Sequence, residues 1–146
     1  MVMGQFNAET ELVIIGGGPG GYVAALRAAD LGKEVILVEE REELGGVCLT
    51  EGCIPSKTLI NAVDLTRSAK NAGQMGLTFS DLTVDREALM AWSDRVVKTL
   101  TGGVNSLVKR RGIEVVHGRA RFTDENNLYL EGAGTIRFKE CIIATG

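Results

Sequence analysis

The stretch ELVIIGGGPGGYVAALRAADLG, residues 11–32, decides the fold of this chain. Its opening apolar run, ELVII, is typical of a strand that is buried on both faces of a parallel sheet. Its alanine-rich part, residues 22–31, predicts a helix that ends at a glycine cap. Between strand and helix, Gly16, Gly18 and Gly21 form the pattern G-x-G-x-x-G. A strand, a glycine turn and a helix in this order predict a dinucleotide-binding unit.

Each of the three glycines has a steric role, and together these roles suit the binding of a phosphate ligand. The first permits a tight turn, the second lets a pyrophosphate approach the backbone, and the third lets helix and strand pack closely. The helix N-terminus then offers free N–H groups and a favourable dipole. The alternative is a glycine-rich turn that merely caps a helix.

A second predicted strand, residues 35–38, favours the dinucleotide interpretation because it ends in Glu39. A carboxylate at that position can accept hydrogen bonds from ribose hydroxyls and repels a 2′-phosphate. The neighbouring Glu40 is expected to be solvated. These features by themselves do not distinguish FAD from NAD.

A second informative stretch is LGGVCLTEGCIPSK, residues 44–57, which contains Cys48 and Cys53. We predict a helix at residues 54–65, so that Cys53 lies at its first turn, where the dipole and free N–H groups favour a thiolate. The four intervening residues allow the two cysteines to come within disulfide reach. Lys57 lies one turn beyond Cys53, where its ammonium can stabilise a thiolate or a reduced flavin.

Two alternatives compete with a disulfide, namely two unpaired core thiols or half of a metal site. Zinc sites usually take four Cys or His ligands, and the chain offers only Cys141 and His117 elsewhere. We therefore predict no metal site. Cys141 is expected in a buried strand at residues 141–144, and His117 is expected to be structural, at the end of a strand at residues 113–116.

Composition and charge exclude several classes of partner. The formal net charge is -3, with acidic and basic residues mixed along the chain, so no basic stripe is available for nucleic acid. The chain does not start with a positively charged segment followed by an apolar run, and no stretch approaches 18 consecutive apolar residues. We therefore expect no membrane association and a cytoplasmic protein of one domain, or part of one.

The remaining segments complete an α/β fold class. Asp85 is expected to cap a helix that runs toward Arg111, in which Gly102 and Gly103 mark a close packing point with a bend. Three short strands predict a small antiparallel meander. These strands are at residues 119–122, 128–130 and 135–138. The predicted fold is a Rossmann-like parallel sheet with flanking helices and this three-stranded meander.

Both quoted stretches resemble the flavin-dependent disulfide reductases, and the resemblance covers essentially the whole chain. It implies the FAD/NAD-binding fold, with residues 1–146 as the N-terminal portion of the FAD-binding domain and with the NAD-binding and dimerisation domains absent. Thr50 and Glu51 depart from the family pattern, which usually has Asn and an apolar residue there. These departures leave the cysteine pair intact and the disulfide substrate open.

The resemblance also implies site roles. Cys53 would be the charge-transfer thiol beside the flavin, and Cys48 the interchange thiol that reacts with the substrate. Lys57 would lie near the flavin ring, and Glu39 would bind the ribose. The remaining implied cofactor contacts are Gly16, Gly18, Gly21, Gly46, Val47, Gly118, Ala120, Thr145 and Gly146, of which the backbone around Gly118 and Ala120 would touch the adenine.

The implied activity passes electrons from dihydrolipoamide through a Cys48–Cys53 disulfide and bound FAD to NAD. The implied partner is a lipoyl domain of a 2-oxo acid dehydrogenase complex, and the full-length enzyme would be a homodimer. Without the other domains, the chain is expected to be inactive alone. Alternatives are a reductase of the glutathione or mercuric type, or a non-catalytic dinucleotide-binding module.

Overall fold

The computed structural model describes residues 6–146. The expectation about the N-terminal segment rests partly on residues 1–5, which lie outside the described residues. The described chain divides into two compact units, one formed by residues 6–46 and 101–146 and the other by Val47–Leu100. The elements in order are β1 (Phe6–Ile15), α1 (Pro19–Asp30), β2 (Val35–Glu39), α2 (Gly46–Thr50), α3 (Cys53–Asn71), a 3₁₀ helix (Ala72–Met75), α4 (Arg86–Arg110), β3 (Glu114–His117), β4 (Ala120–Phe122), β5 (Asn127–Leu130) and β6 (Gly134–Ile143).

A six-stranded sheet of order β3-β2-β1-β6-β5-β4 forms the centre of the first unit. β1 is parallel to β2 and β6, and β2 is parallel to β3. β5 is antiparallel to both β4 and β6, which makes the predicted meander part of the same sheet. The Rossmann-like fold class is therefore confirmed. The hydrophobic core cluster of the first unit consists of Val13, Ile36, Val38, Leu128, Leu130, Ile136 and Phe138.

β6 corrects the prediction of two separate strands at residues 135–138 and 141–144. The structure has one continuous strand, Gly134–Ile143, which pairs with β1 along its whole length. Only its first half also pairs with β5. Lys139 and Glu140 separate the two apolar runs, but they are not turn residues and nothing there ends the strand. β1 is correspondingly longer than predicted, because its polar first half pairs with the meander end of β6.

α1 begins at Pro19 rather than at residue 22, since proline at the first helical position loses no hydrogen bond. Its other end matches the predicted glycine cap. Gly32 has a φ of +81° and donates its N–H to the Ala29 carbonyl at 2.9 Å. The Lys33 N–H donates to the Ala28 carbonyl at 3.1 Å, which completes a Schellman motif.

α4 is uninterrupted through Gly102 and Gly103, so the predicted packing point is wrong. A Cβ atom added at either glycine would have no neighbour within 4 Å outside the backbone of the helix itself. Each glycine costs roughly 1 kcal/mol of helix propensity, which is too little to end a helix that buries Val104 and Val108 in its last turns. Among residues 6–146, no helix is long and apolar enough to cross a membrane.

Asp85 caps α4 as predicted, because its Oδ1 accepts a hydrogen bond from the Ala88 N–H at 3.0 Å. We expect Asp85→Ala to lower the free energy of unfolding by about 1 kcal/mol, as measured by urea denaturation. Asp94→Ala is the control, since Asp94 is exposed within the same helix, and it should change stability by less than about 0.5 kcal/mol. Equal losses in the two variants would contradict the capping role.

Candidate functional site

The carboxyl ends of the four parallel strands meet at one edge of the sheet. At β1 the topology switches, since β2 and β3 lie on one side of it and β6 on the other. Ligands of open α/β sheets bind outside the carboxyl ends at such a point. A cavity of about 300 Å³ lies there, lined by Ile15, Gly16, Val38, Glu39, Glu40, Gly118, Arg119, Ala120 and Thr145.

Most of the cofactor residues predicted in the first unit gather at this edge. Gly16, Glu39, Gly118, Ala120 and Thr145 line the cavity itself, whereas Gly18, Gly21, Gly46 and Gly146 do not. Glu40 lines it too, and is exposed as expected. The sequence prediction missed Arg119, because a single arginine after a strand carries no spacing signal.

Glu39 holds the glycine turn in place with its carboxylate. Its Oε2 accepts the Gly17 N–H at 2.6 Å, and its Oε1 accepts the Arg41 N–H at 2.9 Å. The residue is 9% exposed. A carboxylate offers about four acceptor positions, so capacity remains for ribose hydroxyls. The Glu39 backbone carbonyl also accepts the Gly118 N–H at 2.9 Å, which ties the turn after β3 to the end of β2.

The three motif glycines differ in how closely other atoms of the protein surround the position of a Cβ atom. Gly16 has a φ of +104°, and a Cβ atom there would lie 2.3 Å from the Ala144 carbonyl oxygen. A Cβ at Gly21 would lie 1.6 Å from the Gly16 carbonyl oxygen. Gly18 has an ordinary φ of -69°, and the nearest atom to its Cβ within the described chain would be the Cα of Gly46 at 3.9 Å. Packing thus accounts for Gly16 and Gly21, whereas Gly18 adjoins open space.

The glycine pair that precedes the first cysteine packs against this turn. The Gly45 N–H donates to the Gly17 carbonyl at 2.8 Å. Gly46 has a φ of +62°, and a Cβ atom there would lie 2.8 Å from the Gly18 Cα. Gly46 is therefore required for close backbone approach on the Gly18 side of the turn, and its role as a cofactor residue stays a prediction.

In the second unit, Cys48 and Cys53 form a disulfide whose Cα atoms are 4.7 Å apart. Cys48 lies on the short helix α2, which the sequence did not predict, and Cys53 is the first residue of α3. The Val47 carbonyl accepts the N–H groups of Glu51 at 2.9 Å and Gly52 at 2.7 Å. These two bonds reverse the chain and bring the cysteines together, so the alternative of two unpaired thiols does not hold.

The two sulfur-bearing residues differ in their surroundings. Cys53 is exposed at the N-terminus of α3, whereas Cys48 is half-buried. Lys57 is exposed one turn beyond Cys53 and therefore lies on the same side of the helix. α3 continues to Asn71, well beyond the predicted end at residue 65. A helix of this length has a positive dipole end at its N-terminus, where Cys53 lies. After reduction, the helix terminus and the ammonium favour the thiolate at Cys53.

Cys141 and His117 take no part in a metal cluster. Among residues 6–146, no group of three or more His, Cys, Asp or Glu is placed to hold a metal ion. Cys141 is a free, half-buried residue of β6, and burial raises the pKa of its thiol. The prediction that this end of the strand is buried is wrong, because Ile142 and Ile143 are exposed. His117 is the last residue of β3, and its Nδ1 lies 2.7 Å from the Arg41 carbonyl oxygen, which fits the predicted structural role.

The glycine turn, the acid at the end of β2 and the closely spaced disulfide define a dinucleotide-fold protein that carries a thiol–disulfide pair. The chain belongs to the pyridine nucleotide-disulphide oxidoreductase family, which residues 10–146 match. Members of this family use FAD and NAD. The expected likeness to flavin-dependent disulfide reductases is thereby confirmed.

Among curated relatives, the chain is similar to enzymes named dihydrolipoyl dehydrogenase. It is 48% identical over 149 residues to that of Geobacillus stearothermophilus and 50% identical over 149 residues to that of Bacillus subtilis (strain 168). It is 49% identical over 152 residues to that of Haloferax volcanii. Each comparison covers 100% of this chain and 32% of the relative. The chain therefore spans about a third of the length of these relatives.

Proposed function

We propose that this chain supplies the FAD cradle and the redox-active disulfide of a dihydrolipoyl dehydrogenase. In this proposal, residues 1–146 are the N-terminal portion of the FAD-binding domain. The NAD-binding and dimerisation domains are supplied by further sequence, as the greater length of the relatives suggests. The 146-residue chain alone is therefore expected to bind flavin without reducing NAD.

The observation that carries the cradle assignment is the open space beside Gly18. Gly16 and Gly21 would be glycines in any protein with this packing, but the described chain places no atom closer than 3.9 Å to a Cβ at Gly18. A glycine there is explained by a ligand that approaches the backbone closely, which is what a pyrophosphate does in this turn. The residues present thus fit a dinucleotide such as FAD.

Three groups would hold the dinucleotide. The turn and the N-terminus of α1 would hold the pyrophosphate through backbone N–H groups. Glu39 would accept the ribose hydroxyls with its remaining lone pairs, while its bonds to Gly17 and Arg41 keep the carboxylate fixed. When bound, FAD supplies an acceptor for two electrons and a hydride donor for NAD.

The disulfide would carry out a balanced thiol–disulfide exchange. A thiolate of the substrate dithiol attacks the Cys48 sulfur, the Cys48–Cys53 bond breaks, and Cys53 leaves as a thiolate. The second substrate thiol then attacks the first substrate sulfur in the mixed disulfide, the bond from that sulfur to Cys48 breaks, and Cys48 leaves as a thiolate. The substrate ends as a disulfide and the protein as a dithiol. The α3 N-terminus and Lys57 stabilise the leaving thiolate, which favours Cys48 as the residue attacked.

The name of the relatives supports the substrate, and the other remaining parts of the proposal rest on the expectations from the sequence. The substrate would be dihydrolipoamide, carried on a lipoyl domain of a 2-oxo acid dehydrogenase complex as the family resemblance implies. The full-length enzyme would be a homodimer, and its compartment the cytoplasm. Thr50 and Glu51, between the cysteines, distinguish this chain from the usual family pattern and are the first positions to exchange if the full-length enzyme prefers another disulfide.

Gly18→Ala tests the cradle. We expect the added methyl to weaken FAD binding by about tenfold or more, since it occupies the space assigned to the pyrophosphate. Stability should change little, because Gly18 has a φ of -69° and no crowding neighbour in the described chain. The measurement is a titration of flavin fluorescence quenching, with thermal denaturation of the same samples.

Gly20→Ala is the matched control for this titration. Gly20 lies in the same turn of α1, and a Cβ atom there would meet only the Ala144 Cβ at 3.8 Å, an ordinary contact. It should bind FAD as the unaltered chain does. FAD binding by Gly18→Ala equal to that of Gly20→Ala would contradict the proposed position of the pyrophosphate, and an unaltered chain that binds no FAD would contradict the cradle itself.

A further inference from the structure

We infer that Arg119 holds the adenine end of the dinucleotide by stacking its guanidinium on the base. The inference deepens the proposed FAD cradle and rests on it. Arg119 is the one arginine or lysine among the described residues that line the cavity at the sheet edge. No role for it followed from the sequence.

The order of the strands assigns the base to the Arg119 end of the cavity. The glycine turn follows β1, Glu39 ends β2, and Arg119 lies just after β3, and these strands are neighbours in the order β3-β2-β1. Their ends are in register, since Ile15 pairs with Val38 and Glu39 pairs with His117. Adjacent strands are about 4.8 Å apart, roughly the spacing between phosphate, ribose and base along a nucleotide. The three parts thus fall on three successive strand ends.

The backbone around Arg119 is fixed on both sides. The preceding Gly118 donates its N–H to the Glu39 carbonyl at 2.9 Å, and the Arg119 carbonyl accepts the Glu131 N–H at 3.1 Å. The side chain itself is exposed. The backbone of Arg119 is therefore fixed, while its exposed side chain can reach a ligand in the cavity.

Two nearby arginines have carboxylate partners, whereas Arg119 has none among the residues that the structure describes. The Arg121 guanidinium is 2.9 Å from a Glu131 carboxylate oxygen, and that of Arg111 is 2.7 Å from an Asp30 carboxylate oxygen. Within residues 6–146, no side chain or backbone group hydrogen-bonds to the Arg119 guanidinium. This cation can therefore engage a ligand without first breaking an ion pair.

The charges around it favour a base over a second phosphate. Glu39 and Glu40 line the same cavity and would repel an anion at this end. An adenine ring is neutral, and its face attracts a planar cation, while Ile15 and Val38 supply apolar wall. A guanidinium can stack flat on the ring, whereas a lysine ammonium is a point charge that cannot.

The test titrates FAD and FMN into the unaltered chain, Arg119→Ala, Arg119→Lys and Arg121→Ala. FMN lacks the adenosine part of FAD. We expect Arg119→Ala to weaken FAD binding about tenfold and leave FMN binding unchanged, and Arg119→Lys to restore little of the loss. Arg121→Ala removes the same charge from a residue outside the cavity lining and should bind both flavins normally.

Each other outcome overturns the inference in an identifiable way. Equal losses for FAD and FMN would assign Arg119 to a phosphate, and full recovery in Arg119→Lys would reduce its role to charge. FAD binding by Arg119→Ala equal to that of the unaltered chain would remove the contact altogether while leaving the cradle intact. An unaltered chain that binds no FAD would overturn the proposed function together with the inference.

Discussion

Replacing Gly21 with alanine is expected to lower the free energy of unfolding by about 3 kcal/mol or more. A Cβ atom at Gly21 would lie 1.6 Å from the Gly16 carbonyl oxygen and 2.8 Å from its carbonyl carbon. The Gly16 backbone is held in place by the hydrogen bond that its N–H donates to the Val38 carbonyl at 2.8 Å. α1 would have to move away from the end of β1, which disrupts the helix packing and the proposed phosphate site.

Gly20→Ala is again the control, because it adds the same methyl at the preceding position of the same helix. Its Cβ would meet only the Ala144 Cβ at 3.8 Å, and alanine improves helix propensity by roughly 0.5–1 kcal/mol. Thermal and urea denaturation of the two variants measure the difference. If both variants unfold at the same denaturant concentration, the close contact between Gly21 and Gly16 does not exist in solution.

The largest functional effect is expected from Cys53→Ser. In a full-length enzyme that carries this region, we expect dihydrolipoamide-dependent NAD reduction to fall by at least about 10³-fold, since the two-electron relay loses one of its two sulfurs. The long-wavelength charge-transfer absorption of the reduced enzyme should also disappear, because Cys53 is assigned the thiolate beside the flavin. Steady-state assays and absorption spectra of the reduced enzyme measure both effects.

Cys141→Ser is the matched control, since Cys141 is the free cysteine and lies in β6 rather than near the disulfide in sequence. It should keep both the activity and the absorption band. Survival of the band in Cys53→Ser would overturn the assignment of the two cysteines. Measurable NAD reduction by the purified 146-residue chain, free of longer species, would contradict the proposal that NAD reduction requires further domains.

Local sequence predicted what depends on residues close together in the chain. The turn at Gly16 to Gly21 and its helix were predicted because steric demands of a strand–turn–helix unit are met within a few residues. The disulfide reach of Cys48 and Cys53 followed from their spacing. The predicted start of α1 was wrong, because the glycines before residue 22 are typical of a loop. The helix begins at Pro19.

Features that depend on contacts between distant parts of the chain were not predicted correctly from local sequence. The apolar runs on either side of Lys139 and Glu140 gave two predicted strands, and only pairing with β1 makes them one. Gly102 and Gly103 were expected to mark close packing, because a glycine pair in a helix usually has a neighbour. Here no such neighbour exists in the described chain, and the helix tolerates the propensity cost.

The sequence by itself determined the dinucleotide turn, the acid at the end of β2 and the cysteine pair, since each is a short-range pattern with a fixed steric or electrostatic reason. Only the tertiary structure decided that Arg119 and Thr145 share a cavity with Gly16. It also separated Gly18, which adjoins open space, from Gly16 and Gly21, which packing requires. The physical reason is that residues distant in the chain meet only when β1 takes both β2 and β6 as parallel neighbours, a pairing that no local pattern encodes.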